Sequence, residues 1–407
     1  DLVFHNAPMF DFQLSASGSS KKVQYYISGG YFKQGGIIDK SSYERITLKI
    51  NNIYNLSTHV KMGNNITVAP YSQQVAPDVT YAVYRAKPTL VPYYPDGSFA
   101  VVDNVGNPLA SLAYSNNFIK GVRGVGNLYL EANFLKSFTF KTSFGIDAGY
   151  NNAESFTPEY TVYNPDGTIS QQQNLLSRLV KNSNYNFTWL WENTLNYKKE
   201  IGKHSIDALA GYTMQNTTSD GFSLSGANLI RDGENFWYIQ PSYIYDPTNN
   251  VNTISSIIEQ VDLNQYYSMI SYLFRVNYVF DKRFILTATF RSDGSSRFSK
   301  DNRYATFPSF AAGWNVSQES FMQDIKWLSK LKLRGSWGKL GNDKISYWDR
   351  YARVESNIVT IFGQTNDPNT GATFGINGNP DLKWEVTTQT DIGLEFGLFG
   401  SRLTAEF

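Results

Sequence analysis

Cysteine is absent from the 407 residues of this chain, and an excess of charge of either sign is absent too. Without cysteine there is no disulfide framework and no zinc site built on thiolates. Lysine and arginine total 36, and aspartate and glutamate total 35, so the formal net charge is +1. Since such a chain carries no strong long-range field, we expect no nucleic-acid partner.

Membrane-spanning helices are not expected either. No apolar run approaches the ~18 residues that such a helix needs, and the mean hydropathy is −0.36. A membrane β-barrel would escape this test, because each of its strands is apolar on only one side. The opening residues, DLVFHNAPMF, lack the regions of a signal peptide. We therefore interpret the chain as a mature protein or a fragment.

Motifs for catalysis and cofactor binding are also missing. The 3 histidines, His5, His59 and His204, are far apart along the chain and fit solvated positions better than metal ligands. Neither SGGYFKQGG (28–36) nor GKLGND (338–343) has the form of a phosphate-binding loop. Since no nucleophile elbow or zinc-protease motif occurs either, we predict no catalytic residue, no metal site, no cofactor and no enzymatic activity.

Aromatic residues, in contrast, are abundant. They form 15% of the chain, with 28 Tyr, 27 Phe and 8 Trp. Tyrosine and tryptophan combine a large apolar ring with a polar tip, which suits a border between oil and water.

Alternation of apolar and polar residues recurs along almost the whole chain. In FILTATFRSD (284–293), Phe284, Leu286 and Phe290 fall on one face and polar residues on the other. The segment YNFTWLWENTLNYK (185–198) alternates in the same way. We count about 14 such strands, several of about 10 or more residues, which matches tilted strands that cross a bilayer.

The predicted connections alternate between short and long. The long polar ones are expected near 74–121, 160–184, 220–262, 291–305 and 340–383. Outer-membrane barrels typically have short turns at one rim and long loops at the other. We therefore predict an all-β fold, an antiparallel transmembrane β-barrel, with residues 1–407 forming part of one barrel domain. The alternative is a soluble β-sandwich array, in which alternation reflects one buried face and one wet face.

One connection on the short side has a different pattern. The segment NVSQESFMQDIKWLSKLKL (315–333) offers Ser317 as an N-cap, followed by Phe321, Met322 and Ile325 at helical spacing. We predict a small amphipathic helix there.

Aromatic residues in the predicted long loops are candidate substrate-binding residues. Rings at such positions can stack on a sugar or on an apolar ligand. We single out Tyr93, Tyr94, Trp237, Tyr243 and Trp348. The alternative is that these rings hold loops together or lie at the membrane interface.

A more specific signal lies between Thr289 and Phe321. This stretch contains, in order, RSDGSSRF (291–298), DNRYATFPSFAAGW (301–314) and VSQESFM (316–322). It resembles a hallmark region of the SusC/RagA family of TonB-dependent outer-membrane transporters of Bacteroidota. Further segments are similar to other motifs of that family: YYISGGYFKQGGII (25–38), LSKLKLRGSWGKLGND (328–343) and NPDLKWEVTTQTDIGLEFGLFGSRL (379–403).

The resemblance implies a plugged barrel that imports oligosaccharides or peptides across the outer membrane of a Gram-negative cell. The implied partners are a SusD-like surface lipoprotein, the TonB–ExbB–ExbD complex, outer-membrane lipid and the glycan or peptide substrate. The alternatives are a siderophore or vitamin receptor of the same class and a soluble β-rich glycan-binding protein.

The resemblance also assigns roles to the motif residues. It implies an extracellular loop made of Asp293, Gly294, Ser295, Ser296, Arg297 and Phe298. Within that loop, Asp293 and Arg297 are expected in a local network near the mouth of the barrel. Trp314 is expected in an aromatic girdle.

The sequence also departs from the family pattern. Plugged barrels have about 22 strands, whereas about 14 are predicted here, and we find no plug domain or TonB box. We expect the chain to be a central part of a longer transporter. Because an open sheet would expose unpaired edges to lipid, we do not expect this part alone to transport.

Overall fold

The computed structural model describes residues 2–89, 91–102, 106–227, 229, 231–239, 265–322, 324–346, 348–361 and 368–407. Within this part of the chain, 14 strands form one antiparallel sheet. Two short helices, α1 (Thr80–Arg85) and α2 (Pro108–Tyr114), lie on a connection between strands. The predicted all-β, antiparallel fold is confirmed.

The strands follow one another across the sheet in chain order. The first eight are β1 (Met9–Ser19), β2 (Val23–Gly35), β3 (Ser42–Asn55), β4 (Val60–Gln74), β5 (Asn116–Phe134), β6 (Phe138–Thr157), β7 (Arg178–Ile201) and β8 (His204–Ala227). The next four are β9 (Gln265–Phe280), β10 (Phe284–Ser295), β11 (Tyr304–Asn315) and β12 (Leu328–Asn342). A separate hairpin follows, formed by β13 (Arg353–Ile361) and β14 (Pro368–Ile376). The main sheet then resumes with β15 (Glu385–Leu398) and β16 (Leu403–Glu406).

The two rims of the sheet differ in the length of their connections. At the short-loop rim, turns such as 281–283 join neighbouring strands with Asp281 and Lys282 at φ 51° and 58°. Such turns fit hairpins, because left-handed backbone at both central positions matches the twist of the strands. The opposite rim, here called the long-loop rim, carries connections such as 75–115 and 343–384.

Strands reach further toward the long-loop rim than the alternation predicts. β5 begins at Asn116 and β7 at Arg178, inside the ranges 74–121 and 160–184 predicted as loops. The polar run NSN (182–184) shows the reason, since its residues are paired on both sides of β7 although they lack the alternation. A strand with both faces in water keeps its backbone hydrogen bonds to the neighbouring strands. It has no apolar face, however, and the prediction of strands from the sequence depends on that face.

Residues opposed in register share one face of the sheet, and the predicted apolar face is continuous. Phe290 lies opposite Phe274 on the neighbouring strand, and Phe144 lies opposite Trp191. These four side chains are 41% to 51% exposed. A broad exposed apolar face is not covered by this part of the chain, and it fits contact with lipid.

The other face is polar. The Thr188 and Thr217 hydroxyls form a hydrogen bond of 2.9 Å between β7 and β8, and Thr287 donates to Asn277 at 2.9 Å between β10 and β9. In a barrel within a membrane, such a face lines the interior, because the apolar face is turned to lipid.

The predicted helix in 315–333 is wrong. The structure has two three-residue 3-10 turns instead, Val316–Gln318 and Ser320–Met322, and β12 already begins at Leu328. Glu319 lies between the two turns, and its carboxylate accepts hydrogen bonds from the Trp314 indole at 3.0 Å and from Arg283 at 2.9 Å. These contacts hold Glu319 in extended backbone, which interrupts any helix.

Among the described residues, the helices are all too short or too polar to span a membrane.

Buried apolar residues gather in two small clusters at the long-loop rim. One cluster contains Val3, Val79, Leu109 and Leu112, and it packs the helices of 75–115 against the residues before β1. The other contains Phe298, Phe307 and Trp384. Both lie at the ends of strands, so the sheet itself has two exposed faces and the packed core of the described part is at one rim.

Candidate functional site

The motif segment, defined here as Asp293–Phe298, lies at the long-loop ends of β10 and β11. It is buried rather than exposed: Ser295 and Phe298 have 0% exposure and Asp293 has 6%. Gly294 is required by the close approach of Tyr304, because a Cβ atom there would lie 2.4 Å from the tyrosine ring. The segment is therefore tightly fitted to its neighbours.

The buried carboxylate of Asp293 is paired within its own strand. Arg291 donates from Nε to both carboxylate oxygens at 2.8 and 2.7 Å, and from its terminal nitrogen to the Ser271 hydroxyl on β9 at 3.1 Å. Burying a carboxylate without such a partner would be costly. Asp293 is thus held in a local network, but its partner is Arg291 and not Arg297, which belongs to a separate network.

A second network joins the motif segment to Asp343, just after β12. The Asp343 carboxylate accepts hydrogen bonds from the Ser295 hydroxyl at 2.7 Å and from the Tyr267 hydroxyl at 2.9 Å. Arg297 donates to the Asp343 backbone carbonyl at 3.1 Å, and its guanidinium lies 4.8 Å from the centre of the Tyr267 ring. Three strand ends, those of β9, β10 and β12, therefore meet at one carboxylate.

An aromatic cluster completes this assembly. The Trp384 ring lies 5.3 Å from Phe298 and 5.3 Å from Phe307, edge-on to the latter. Its indole nitrogen donates to the Arg303 carbonyl at 3.0 Å, and Arg350 donates to the Phe298 carbonyl at 2.8 Å. The start of β15 and the connection 343–384 are thus held against the motif segment.

Sequence reasoning assigned no role to Asp343 or Trp384, although both lie in segments that resemble family motifs. A lone Asp after a glycine-rich strand and a Trp before a strand carry no pairing information by themselves. Their partners are far away along the chain: Ser295 is 48 residues from Asp343, and Arg303 is 81 residues from Trp384.

The described candidate aromatic residues lie in three different connections, with Tyr93 and Tyr94 sharing one of them. Tyr93 packs on Phe99 at 5.3 Å, and the Tyr94 hydroxyl donates to the Tyr163 carbonyl at 3.0 Å. Trp237 packs on Phe156 at 4.8 Å. Trp348 is 48% exposed, and Tyr243 lies outside the described residues. The structure therefore does not bring the four described members, Tyr93, Tyr94, Trp237 and Trp348, together into one pocket.

Two long loops are joined by aromatic stacking. Phe99 lies 5.5 Å from Tyr114, which stacks on Tyr160 at 4.2 Å with an interplanar angle of 3°. Burial raises the pKa of the Tyr160 hydroxyl above its ordinary value. The connections 75–115 and 158–177 consequently form one assembly at the long-loop rim.

Two tight turns shape these loops. In NPDG (164–167), Asp166 accepts hydrogen bonds from the backbone and hydroxyl of Thr168 at 3.0 and 2.6 Å, which lowers the pKa of its carboxyl. YPDG (94–97) has the same arrangement around Asp96 and Ser98.

Metal chemistry has no support in the described ranges. There, no three His, Cys, Asp or Glu side chains are grouped so as to hold a metal ion.

Residues 47–407 match the family model described as TonB dependent receptor-like, beta-barrel. The chain belongs to this family. Its long strands, continuous apolar face and single elaborated rim are the features of a TonB-dependent receptor barrel, which confirms the predicted fold class.

Curated relatives cover the chain almost completely. TonB-dependent receptor P26 of Formosa agariphila is 32% identical, over 100% of this chain and 40% of its own length. TonB-dependent receptor SusC of Bacteroides thetaiotaomicron is 29% identical, over 99% of this chain and 41% of its own length. The chain thus spans about two fifths of the length of these relatives, and the predicted SusC/RagA resemblance is confirmed. These relatives are receptors of the outer membrane and not enzymes.

Solved structures agree in fold. The RagAB peptide transporter matches with a TM-score of 0.81 at 24% identity, over 100% of this chain and 44% of that one. The siderophore receptor PiuA from Acinetobacter baumannii matches with a TM-score of 0.52 at 11% identity, over 98% of this chain and 55% of that one. The geometry of the sheet is thus much nearer to RagAB than to this siderophore receptor.

Proposed function

We propose that this chain forms part of the barrel of a TonB-dependent importer that takes up oligosaccharides or peptides through the outer membrane. The observation that carries the proposal is a sheet with one exposed apolar face, one polar face and one rim with elaborated loops. The apolar face would contact lipid, and the polar face would surround the plug and the substrate. The long-loop rim would then be the extracellular side.

The proposed partners follow from the same placement. A SusD-like surface lipoprotein would cover the long-loop rim, where the joined connections 75–115 and 158–177 give it a packed surface. The TonB–ExbB–ExbD complex would act on the plug of the complete protein. The name of one structural relative, a peptide transporter, supports peptide import, and the resemblance to SusC supports a saccharide.

The candidate aromatics remain part of this proposal. Trp348, which is exposed, is the member best placed to meet a ligand. Tyr93, Tyr94 and Trp237 would act mainly by holding loops in position, because Tyr93 and Tyr94 contact other loop residues and Trp237 packs on Phe156 of β6.

The test uses the complete gene product in its native cell. Deleting the gene should abolish growth on one class of polymer-derived oligosaccharides or peptides, and a tagged protein should fractionate with the outer membrane and co-purify a surface lipoprotein. A soluble tagged protein without that partner would contradict the proposal and favour a β-rich glycan-binding protein. Loss of growth only under iron limitation would favour a siderophore receptor.

A further inference from the structure

A hollow lies on the polar face where β5 to β8 approach the long-loop rim. Its central row consists of Arg123, Gly149, Asn186 and Ser219, which are opposed in register across four neighbouring strands. Tyr71 lies one row nearer to the long-loop rim, on β4. Because opposed residues share a face, these side chains stand next to one another.

Gly149 forms the floor of the hollow. A Cβ atom on this residue would have no neighbouring atom within 4 Å, and its φ is not in the left-handed region. The backbone therefore does not require glycine at this position. The missing side chain opens a space between the longer side chains of Arg123 and Asn186.

Two charged side chains on the polar face of the hollow, Arg123 and Asp147, neutralise each other. Asp220 also borders the hollow, but the register places it on the opposite face of the sheet. Arg123 donates two hydrogen bonds to Asp147, one row nearer to the short-loop rim, at 3.1 and 2.7 Å. These side chains are 65% and 38% exposed, so the outer edges of both groups face the open space. In this row and in the adjoining row on each side, no other charged side chain is present on the polar face of β5 to β8, all of which the structure describes.

Amides supply the remaining polar groups. Asn184 donates to the Asn151 side-chain carbonyl at 3.3 Å, and the Ser219 hydroxyl donates to the Asn186 side-chain carbonyl at 3.3 Å. Each side-chain amide has two donor hydrogens and two acceptor sites, so these contacts use only part of its capacity. The hollow thus presents donors and acceptors in close alternation.

An aromatic ring borders the hollow on the side of the long-loop rim. Tyr71 lies against Gly121 of β5, where a Cβ atom would be 2.8 Å from its ring carbon and hydroxyl. The Tyr43 ring lies 6.1 Å beyond it at an angle of 29°. Glycine at position 121 thus leaves room for the Tyr71 ring and for the Tyr150 backbone carbonyl, which would lie 2.7 Å from a Cβ atom there.

We propose that this hollow is a binding subsite for a neutral oligosaccharide. A sugar ring has an apolar face that stacks on an aromatic ring, and hydroxyl groups that pair with amides and with a neutralised Arg–Asp pair. On the polar face of β5 to β8 the two charges near the hollow are already paired with each other, so a charged peptide would find no free opposite charge there. The inference rests on the proposed import function, because a polar face inside a barrel meets the ligand during passage.

The test compares two glycines on neighbouring strands. Gly149→Leu fills the hollow, whereas Gly124→Leu adds the same side chain to the apolar face of β5, where a Cβ atom also meets nothing within 4 Å. The complete protein, purified in detergent, is titrated calorimetrically with maltohexaose, cellohexaose, xylohexaose and mannohexaose. Acetylated, amidated pentaalanine is titrated in parallel.

The expected result is binding of at least one hexasaccharide. Gly149→Leu should weaken it more than tenfold and Gly124→Leu should leave it unchanged. Asn186→Ala should weaken it about 3- to 10-fold, the effect of one hydrogen bond. Binding of no hexasaccharide, binding of the peptide alone, or equal binding by both leucine variants would overturn the inference. The last result would be expected if another segment of the complete protein covers the hollow.

Uptake by cells separates the two proposals. Cells that import peptides but whose protein binds no hexasaccharide would retain the import function and lose the saccharide subsite. A protein that binds a hexasaccharide through the hollow while its deletion leaves growth unchanged would retain the subsite and lose the import function.

Discussion

The motif segment and the hollow lie near the same rim of one sheet, yet they use polar residues in opposite ways. In the motif segment, Ser295 is fully buried and its hydroxyl is directed to Asp343. In the hollow, Arg123 is 65% exposed and its partner Asp147 is 38% exposed.

The two sites therefore differ in role: the motif segment fixes strand ends, whereas the hollow is suited to contact a ligand. The recognisable family motif is used to fix the ends of β9 to β12 and the start of β15, whereas the groups suited to a ligand lie in a wall that no motif marks. A conspicuous polar cluster in a sequence therefore need not be a binding site. Four experiments test this difference between the two sites.

The largest effect is expected for the aromatic cluster. Phe298→Ala should lower the free energy of unfolding by about 3–5 kcal/mol, because it empties a fully buried site against Trp384 and Phe307. Asn186→Ala, in the hollow, should change it by less than about 0.5 kcal/mol. Thermal unfolding of the complete protein in detergent measures both, and similar losses for the two variants would remove the contrast.

The next effect concerns the two faces of a single strand. Phe290→Lys places a charge on the apolar face and should cost about 2–4 kcal/mol if the residue lies at the middle of the bilayer. Thr289→Lys, its neighbour on the polar face, should be mild. The two variants are folded into lipid vesicles, and the folded fraction is measured from the difference in electrophoretic mobility between unheated and heated samples. Equal tolerance of lysine at both positions would refute the assigned faces.

A third pair compares two carboxylates. Asp343→Ala leaves the buried Ser295 hydroxyl without its acceptor and should cost about 1–3 kcal/mol. Asp147→Ala breaks an exposed ion pair and should cost about 0.2–1 kcal/mol. Asp343→Asn, which keeps an acceptor, should recover part of the loss. Urea unfolding in detergent orders the three variants, and a larger loss at Asp147 would reverse the interpretation.

The smallest effect is expected at the short-loop rim. The indole N–H of Trp314 and the Arg283 guanidinium hold the pKa of Glu319 below its ordinary value, and Lys203 and Arg283 do the same for Asp281. Because these pKa values are lowered in the folded protein, their contribution is present at neutral pH. It is lost as the pH falls below the ordinary carboxyl range and through the lowered values.

Melting temperatures between about pH 7 and pH 3 check this expectation. The wild type should lose more stability across the acid part of the range than Glu319→Gln, whose side chain cannot titrate. Parallel curves would show that the carboxylate contributes no pH-dependent stability.

The sequence predicted the sheet well because lipid imposes a simple rule on a strand. Residues such as Phe284, Leu286 and Phe290 must share one face, and the register places them there. The ends of strands were predicted less well, because above the lipid both faces are wet and the alternation disappears. The helix expected at 315–333 failed because Glu319 has partners on β11 and in the turn 281–283, which spacing alone does not reveal.

The site was predicted only in part. The local network around Asp293 was expected, but the contribution of Asp343 and Trp384 depends on long-range contacts. The hollow gave no signal because its central feature is a glycine, Gly149, and an empty space has no sequence motif. Glycines on a polar strand face, flanked by amides on the neighbouring strands, are the pattern that could have indicated it.

The strand order also has a consequence for assembly. As far as β12, every strand pairs with the one made just before it, so each new strand can be added to the last one. The step from β12 to β15 differs, because the intervening strands β13 and β14 pair with each other and the main sheet resumes only at β15. Docking of Trp384 beside Phe298 would bring Glu385, the first residue of β15, to the open edge. The aromatic cluster is thus positioned to set the rate of this step as well as the stability of the finished sheet.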